Sequence, residues 1–312
     1  MNKFSDISQL PLPPGLKLRD WQGQFLLTFL NKCVAKNNPF FLLSAAPAAG
    51  KTIGQFCAAY TLYKMGLVNW IIVVVPTDHL RTQVGEEVDK VFALETCNDP
   101  GHFVVRDFHG EVITYAQLAA NPNIYKERCE RFGNRVMVVG IHHLGDTNSW
   151  GQAFKTAFCC ASYRLFTSGT PFRTGNEKIL SGWINYKLDQ EGNDISAPDY
   201  RYGYAEAVRY NVVRAVIFPA YEGEFTWQIN GRIHITSFKE ATSKKELTYA
   251  LATALCPDGA WVDTILTEAN SQLMEIRSES RADAAGILFC MDIPHAQRCA
   301  KVLESITGVY LW

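Results

Sequence analysis

Residues 40–52 read Phe-Phe-Leu-Leu-Ser-Ala-Ala-Pro-Ala-Ala-Gly-Lys-Thr, an apolar run that stops at a loop of small residues and closes on Gly50-Lys51-Thr52. Ile53–Tyr63 follows with the texture of a helix. A buried strand, a small-residue loop, Gly-Lys-Thr and a helix together form the context a phosphate-binding loop needs. Amides at the helix N-terminus can cradle phosphate, the Lys51 ammonium can reach the outer phosphates, and the Thr52 hydroxyl can hold Mg²⁺. Pro47, Ala48, Ala49 and Gly50 would form the cradle. Ala45 and Ala48 stand six and three residues before Lys51, where loops of this kind usually carry glycine. If the backbone at Ala48 takes a positive φ, alanine costs roughly 1–2 kcal/mol there. The loop is therefore expected to be strained or reshaped.

Working outward, Trp21, Phe25, Leu26, Phe29 and Leu30 recur at helical spacing within Leu16–Lys36. Residues 1–15 are polar and proline-rich and read as a tail. On the other side of the loop, Trp70–Val75 is a short Val- and Ile-rich run stopped by Pro76, and similar runs recur at Glu111–Thr114, Val136–Val139 and Arg164–Thr167. Strands that alternate with helical stretches predict an α/β fold with a doubly wound, mainly parallel sheet over 16–175.

Beyond Arg173 the texture changes. Residues 176–203, rich in Gly, Asn, Asp and Tyr, read as a surface crossover, followed by a short helix at Tyr204–Arg209 and a strand at Val212–Phe218. Glu224–Phe238 predicts a hairpin turning at Asn230-Gly231. Lys245–Arg277 is helical by periodicity, Gly286–Cys290 reads as a buried strand, and Pro294–Thr307 as a helix. The expected division is a crossover, hairpin and helical linker over 176–280, then the start of a second α/β unit over 281–312, cut short at Trp312.

The net charge of −1 supplies no global basic signature, so any nucleic-acid contact must come from a local patch or from backbone groups. Nine cysteines lie scattered without a Cys-x-x-Cys pair, which predicts reduced thiols in a cytoplasmic protein, with neither a zinc site nor a disulfide framework. Adjacent Cys159-Cys160 reads as core filler. The N-terminus has no apolar signal segment and the apolar runs are only strand-length, so no membrane partner is expected.

In this order the segments resemble the superfamily 2 helicases, specifically the DEAD/DEAH-box relatives grouped with type III restriction subunits and XPB-like helicases. The resemblance implies a RecA-like domain that binds ATP and Mg²⁺, with nucleic acid, DNA in particular, as partner. Leu18–Gln22 is similar to the adenine-reading motif, with Gln22 on the base edge, and Ala45–Thr52 to motif I. Val75-Pro76-Thr77 with Gln83, and Ile113-Thr114-Tyr115, are similar to backbone-contacting motifs, which assigns Pro76, Thr77, Gln83, Thr114 and Tyr115 to nucleic acid. Ser168-Gly169-Thr170-Pro171-Phe172-Arg173 resembles motif III, with Ser168 and Thr170, and His142 before them, in coupling roles and Arg173 on the nucleic acid. Gly286–Leu303 resembles the opening of a second RecA-like domain.

Motif II departs from the pattern. The family writes Asp-Glu-x-His at a strand end, and aligning His142 puts Val139 at the Asp position and Gly140 at the Glu position. Loss of a general base costs about 10²–10⁴ in rate. The family's second lobe also supplies an arginine, and removing such a finger costs about 10³–10⁵ in phosphoryl transfer. The expectation is a helicase-like protein that binds ATP and nucleic acid with hydrolysis impaired. The alternatives are a non-catalytic nucleotide- or DNA-binding module of a restriction or defence complex, whose partner subunit supplies the second lobe, and a decayed fragment.

Overall fold

The computed structural model describes residues 4–92, 94, 96–97, 108–141, 149–168, 178, 180, 182–216, 224–229, 232–240 and 243–309. They form two compact units, Met1–Val216 and Ile217–Trp312.

In the first unit the elements run α1 (Asp20–Leu30), β1 (Phe40–Ala45), α2 (Lys51–Lys64), β2 (Trp70–Val75), α3 (Asp78–Phe92), β3 (Thr96–Cys97) and β4 (Gly110–Thr114). They continue with α4 (Tyr115–Ala120), α5 (Pro122–Arg131), β5 (Val136–Ile141), α6 (Ser149–Phe158), β6 (Tyr163–Ser168), β7 (Tyr186–Leu188), β8 (Asp194–Ser196), β9 (Tyr200–Tyr202) and α7 (Tyr204–Arg209). Seven strands form one sheet in the order β3-β4-β2-β5-β6-β1-β9. Every pairing in it is parallel. A sheet covered by helices on both faces needs strands that are apolar on both sides. β2 meets this requirement residue by residue: Ile71, Val73 and Val75 enter one core with α1, α2 and α3, while Trp70, Ile72 and Val74 enter the other. β5 alternates likewise, Met137 and Val139 on the first face, Val136 and Val138 on the second.

Buried charged side chains described in this unit find partners. Glu111 on β4 accepts hydrogen bonds from Arg128 on α5 and from Trp70 Nε1, the latter at 3.2 Å. Arg164 on β6 donates to the carbonyls of Phe158 and Cys159 at the end of α6, and its guanidinium lies 4.9 Å from the ring centres of both Phe40 and Trp183.

The polar N-terminal stretch is docked rather than loose. Phe4, Ile7, Leu10 and Leu12 pack against the first core, and the backbone of Phe4 exchanges two hydrogen bonds with the Asn31 side chain. The stretch read as a surface crossover also contributes structure, since β9 pairs along Leu43–Ala45 and extends the sheet by one strand beyond the loop strand. Asp199 fastens it, receiving the Leu42 amide at 2.8 Å and pairing with Lys32.

The second unit holds β10 (Glu224–Ile229), β11 (Arg232–Ser237), α8 (Lys244–Ala254), α9 (Ala260–Glu279) and α10 (Ile293–Thr307). The hairpin is antiparallel with Ile229 opposite Arg232, which brackets Asn230-Gly231, itself outside the described residues. The helical run expected over Lys245–Arg277 is broken after α8, where Pro257 and Gly259 intervene. Two expected strands are corrected. Residues 212–216 carry no strand, and the remainder of Val212–Phe218 lies outside the described residues. Gly286–Cys290 is irregular, with Ile287 81% and Phe289 91% exposed. Apolar composition alone does not make a strand: its amides and carbonyls need a neighbouring strand, and none of the described residues pairs with this segment. No described helix is long and apolar enough to cross a membrane.

Candidate nucleotide site

The loop between β1 and α2 is built by the strand that precedes it and the helix that follows. Leu42 and Leu43 are buried in the sheet, the chain emerges at the exposed residues Pro47 and Ala48, and it turns back through buried Ala49 into α2. Ala48 does adopt the left-handed conformation, with φ 58°, so the expected cost of alanine applies. Gly50, the residue before α2, has φ 91°. A Cβ there would lie 3.0 Å from Gln22 Nε2 and 3.2 Å from Arg19 Nη1, so both conformation and space reserve this position for glycine.

Lys51 opens α2 and its ammonium arches over the loop, donating to the carbonyls of Ala45 and Ala46 at 3.1 Å each. A third ammonium hydrogen remains for a ligand. Partial burial lowers the Lys51 pKa from its ordinary value. The first-turn amides of α2 have no intrahelical acceptors, and their dipole favours an anion. Thr52 lies half-buried in this same turn. Three loop positions, however, offer no amide to a ligand: the Ala46 N–H is donated to Tyr202 O on β9 at 3.0 Å, the Ala49 N–H to Ala46 O at 3.3 Å, and Pro47 has none.

Gln22 and Arg19 hold the loop from the side. Gln22 is buried, its Oε1 accepts from Arg19 N at 2.9 Å and its Nε2 donates to Gly50 O at 2.9 Å. Arg19 Nη1 donates to Ala49 O at 2.7 Å. Arg19 also lines a cavity of about 460 Å³ with Trp21, Gln24, Tyr202, Tyr210 and Asn211, and Gln22 is not among its lining residues. The Trp21 ring stacks on Tyr202 at 4.9 Å, and its buried Nε1 has no acceptor among the described residues. Sequence reasoning missed this cavity. Its only sequence signal was the run of tyrosines at 200, 202, 204 and 210.

The motif II positions lie inside the sheet. Val139 is fully buried and shares a row with Leu165 and, through it, Phe41. Toward the loop end of β1, Ser44 pairs with Ser168, and the described part of β5 ends one row earlier, at Ile141 opposite Thr167. A Cβ on Gly140 would meet Phe166 at 3.3 Å and Phe154 at 3.4 Å, on the face away from α2. The described part of β5 therefore carries no carboxylate for Mg²⁺.

Of the residues assigned to nucleic acid, Thr77 and Gln83 are exposed on α3 and its entrance, and Pro76 is half-buried before them. Thr77 Oγ1 accepts from Leu80 N at 3.4 Å. Thr114 and Tyr115 do not reach the surface. Thr114 is buried and caps α4, accepting from Gln117 N at 3.2 Å, while Tyr115 is 1% exposed and stacks on Trp150. Ser168 is buried at the end of β6, and His142, Thr170 and Arg173 lie outside the described residues.

Residues 15–173 match the family described as "Type III restriction enzyme, res subunit". An uncharacterized protein of Mycobacterium tuberculosis (strain ATCC 25618 / H37Rv) is 34% identical over 299 residues, covering 93% of this chain and 48% of that protein. One of Mycobacterium leprae (strain TN) is 32% identical over 312 residues, covering 97% and 50%. The chain thus spans about half the length of the curated relatives it matches. Among solved structures, similarity extends to a nuclease-deletion mutant of the Type ISP restriction-modification enzyme LlaGI in complex with a DNA substrate mimic (TM-score 0.47, 15% identity, 63% of this chain and 21% of that one). It extends also to the UvsW helicase from bacteriophage T4 (TM-score 0.40, 17% identity, 53% and 58%).

Proposed function

Because the chain belongs to the type III restriction enzyme res-subunit family, we propose that its first unit binds ATP at the loop ahead of Lys51 and nucleic acid beside it, with hydrolysis strongly impaired. The observation that carries this reading is the loop itself, a parallel strand feeding a helix N-terminus over which a lysine is folded onto two backbone carbonyls. Phosphate fits there: the Lys51 ammonium can turn from Ala45 and Ala46 toward it, and the α2 amides add their dipole. Adenine would sit in the cavity at the start of α1, beside Tyr202 and Tyr210. Gln22, fastened to Gly50, would transmit the loop's position to that cavity.

Bound ATP would bring Mg²⁺ to the Thr52 hydroxyl. On the protein side the described part of β5 offers no carboxylate to complete its shell or to accept a proton from water. The nucleic-acid reading rests on exposed Thr77, just before the start of α3, and exposed Gln83 on that helix.

The test is nucleotide binding by calorimetry together with DNA-stimulated ATP hydrolysis, using Lys51→Ala as control. Binding that Lys51→Ala weakens at least tenfold, with turnover no higher than that of the variant, is the expected outcome. Equal binding by both proteins would end the reading of the loop as a nucleotide site. Turnover that Lys51→Ala abolishes would show that another group does the work of the missing carboxylates.

A further inference from the structure

We propose that Cys290, His295 and Cys299 form a zinc-binding site in the second unit. The cysteines are free thiols, and the three ligand atoms lie within 4.8 Å of one another. The sequence spacing is Cys-x4-His-x3-Cys, which has no paired-cysteine signature. Structure brings the three together because His295 and Cys299 are four residues apart on α10, hence on one face of it, while Cys290 comes from the segment leading into the helix.

The histidine ring is anchored through one nitrogen. His295 Nε2 lies 2.7 Å from the carbonyl of Leu255, an acceptor only, so Nε2 carries the proton and donates it. Nδ1 is then left with its lone pair, and Cys299 Sγ lies beside the ring, 3.7 Å from Nδ1 and 3.9 Å from Nε2. A hydrogen bond from the distal ring nitrogen to a carbonyl is the usual outer-shell support of a zinc-bound imidazole. Tetrahedral zinc with Zn–S of about 2.3 Å and Zn–N of about 2.0–2.1 Å places a sulfur and a nitrogen ligand about 3.6 Å apart. Sγ stands at that distance but off the lone-pair direction, so a turn of the imidazole or of the Cys299 thiol would complete the geometry as the metal binds.

The ring is further fixed from below. Asp292 Oδ1 accepts from His295 N at 2.7 Å, which pins the first turn of α10, and both His295 and Cys299 are buried. Cys290 is half-buried, so the cluster opens toward solvent on its side. Zinc would enter there, each thiol would release one proton to water as its thiolate bonds the metal, the neutral imidazole would release none, and a water would complete the tetrahedron. Two thiolates and an imidazole select zinc over the harder magnesium or calcium ions.

The experiment uses the full, untagged chain, stripped with chelator, kept reduced without air and titrated with cobalt(II). One equivalent is expected to produce the ligand-field bands of tetrahedral cobalt with a thiolate-to-cobalt charge-transfer band, and one equivalent of zinc to bleach both. Cys290→Ser should halve the charge-transfer intensity, and because that side chain is only half-buried the variant remains a fair test if Cys299→Ser fails to fold. His295→Ala should weaken cobalt binding at least tenfold. Octahedral spectra only, tetrahedral bands undiminished in Cys290→Ser, or a purified chain lighter by the two hydrogens of a Cys290–Cys299 disulfide would each overturn the proposal.

Discussion

A methyl group at position 48 decides how the loop sits. Ala48 is exposed and left-handed, and its side chain enters neither core, so the conformational cost of roughly 1–2 kcal/mol is offset by nothing local. Ala48→Gly is expected to raise stability by about 1 kcal/mol, part of the relief being lost to the greater freedom of glycine in the unfolded chain. Urea denaturation of the two proteins measures it, and a destabilised variant would mean that the methyl packs usefully. This strain was legible in the sequence, because a loop of fixed length before Lys51 demands a particular backbone turn whatever residue fills it. The task of Gln22 was not. Its amide bonds to Arg19 and Gly50 depend on how α1 lies against the loop, which no local pattern encodes.

At the scale of elements, the alternation of β2 and β5 between two cores made the parallel sheet readable from composition, since only a strand covered on both faces can be apolar at every position. Gly286–Cys290 satisfied that pattern and still failed as a strand, because pairing is a property of two segments. The same limit applies to motif II. Counting back from His142 places the carboxylate positions at Val139 and Gly140, yet cross-strand register sets Val139 beside Leu165, inside the sheet. Counting from His143 would move the pair one residue on, to Gly140 and Ile141, equally without carboxylates. Writing the family's residues back at the first pair, Val139→Asp with Gly140→Glu, is expected to destabilise the chain by at least about 3 kcal/mol and to restore no ATP hydrolysis. An ionised group among Phe154, Phe166 and the apolar neighbours of Val139 has no partner. Thermal unfolding and hydrolysis assays on the double variant decide this, and rescue with retained stability would refute it.

For the whole molecule, the two units differ in how completely they are covered. The first surrounds its sheet on both faces; the second leaves Ile287, Leu288, Phe289, Met291 and Ile293 exposed around α10. Apolar residues grouped like this favour association over a monomer in water. Phe289→Ser with Ile287→Thr is expected to lower concentration-dependent light scattering of the purified chain without changing its circular dichroism, and scattering that persists would direct attention to another surface. With the Ala46 N–H committed to Tyr202, the Ala49 N–H to the Ala46 carbonyl and no N–H at Pro47, the loop meets a phosphate chain with a shortened set of neutral donors. The hold on nucleotide then falls mainly to the positive charge of Lys51 and the helix dipole, both of which counterions shield. Affinity should accordingly fall steeply between dilute buffer and molar potassium chloride, and triphosphate should lose more than diphosphate over that range. Such a site would measure the ionic strength around it as well as the nucleotide.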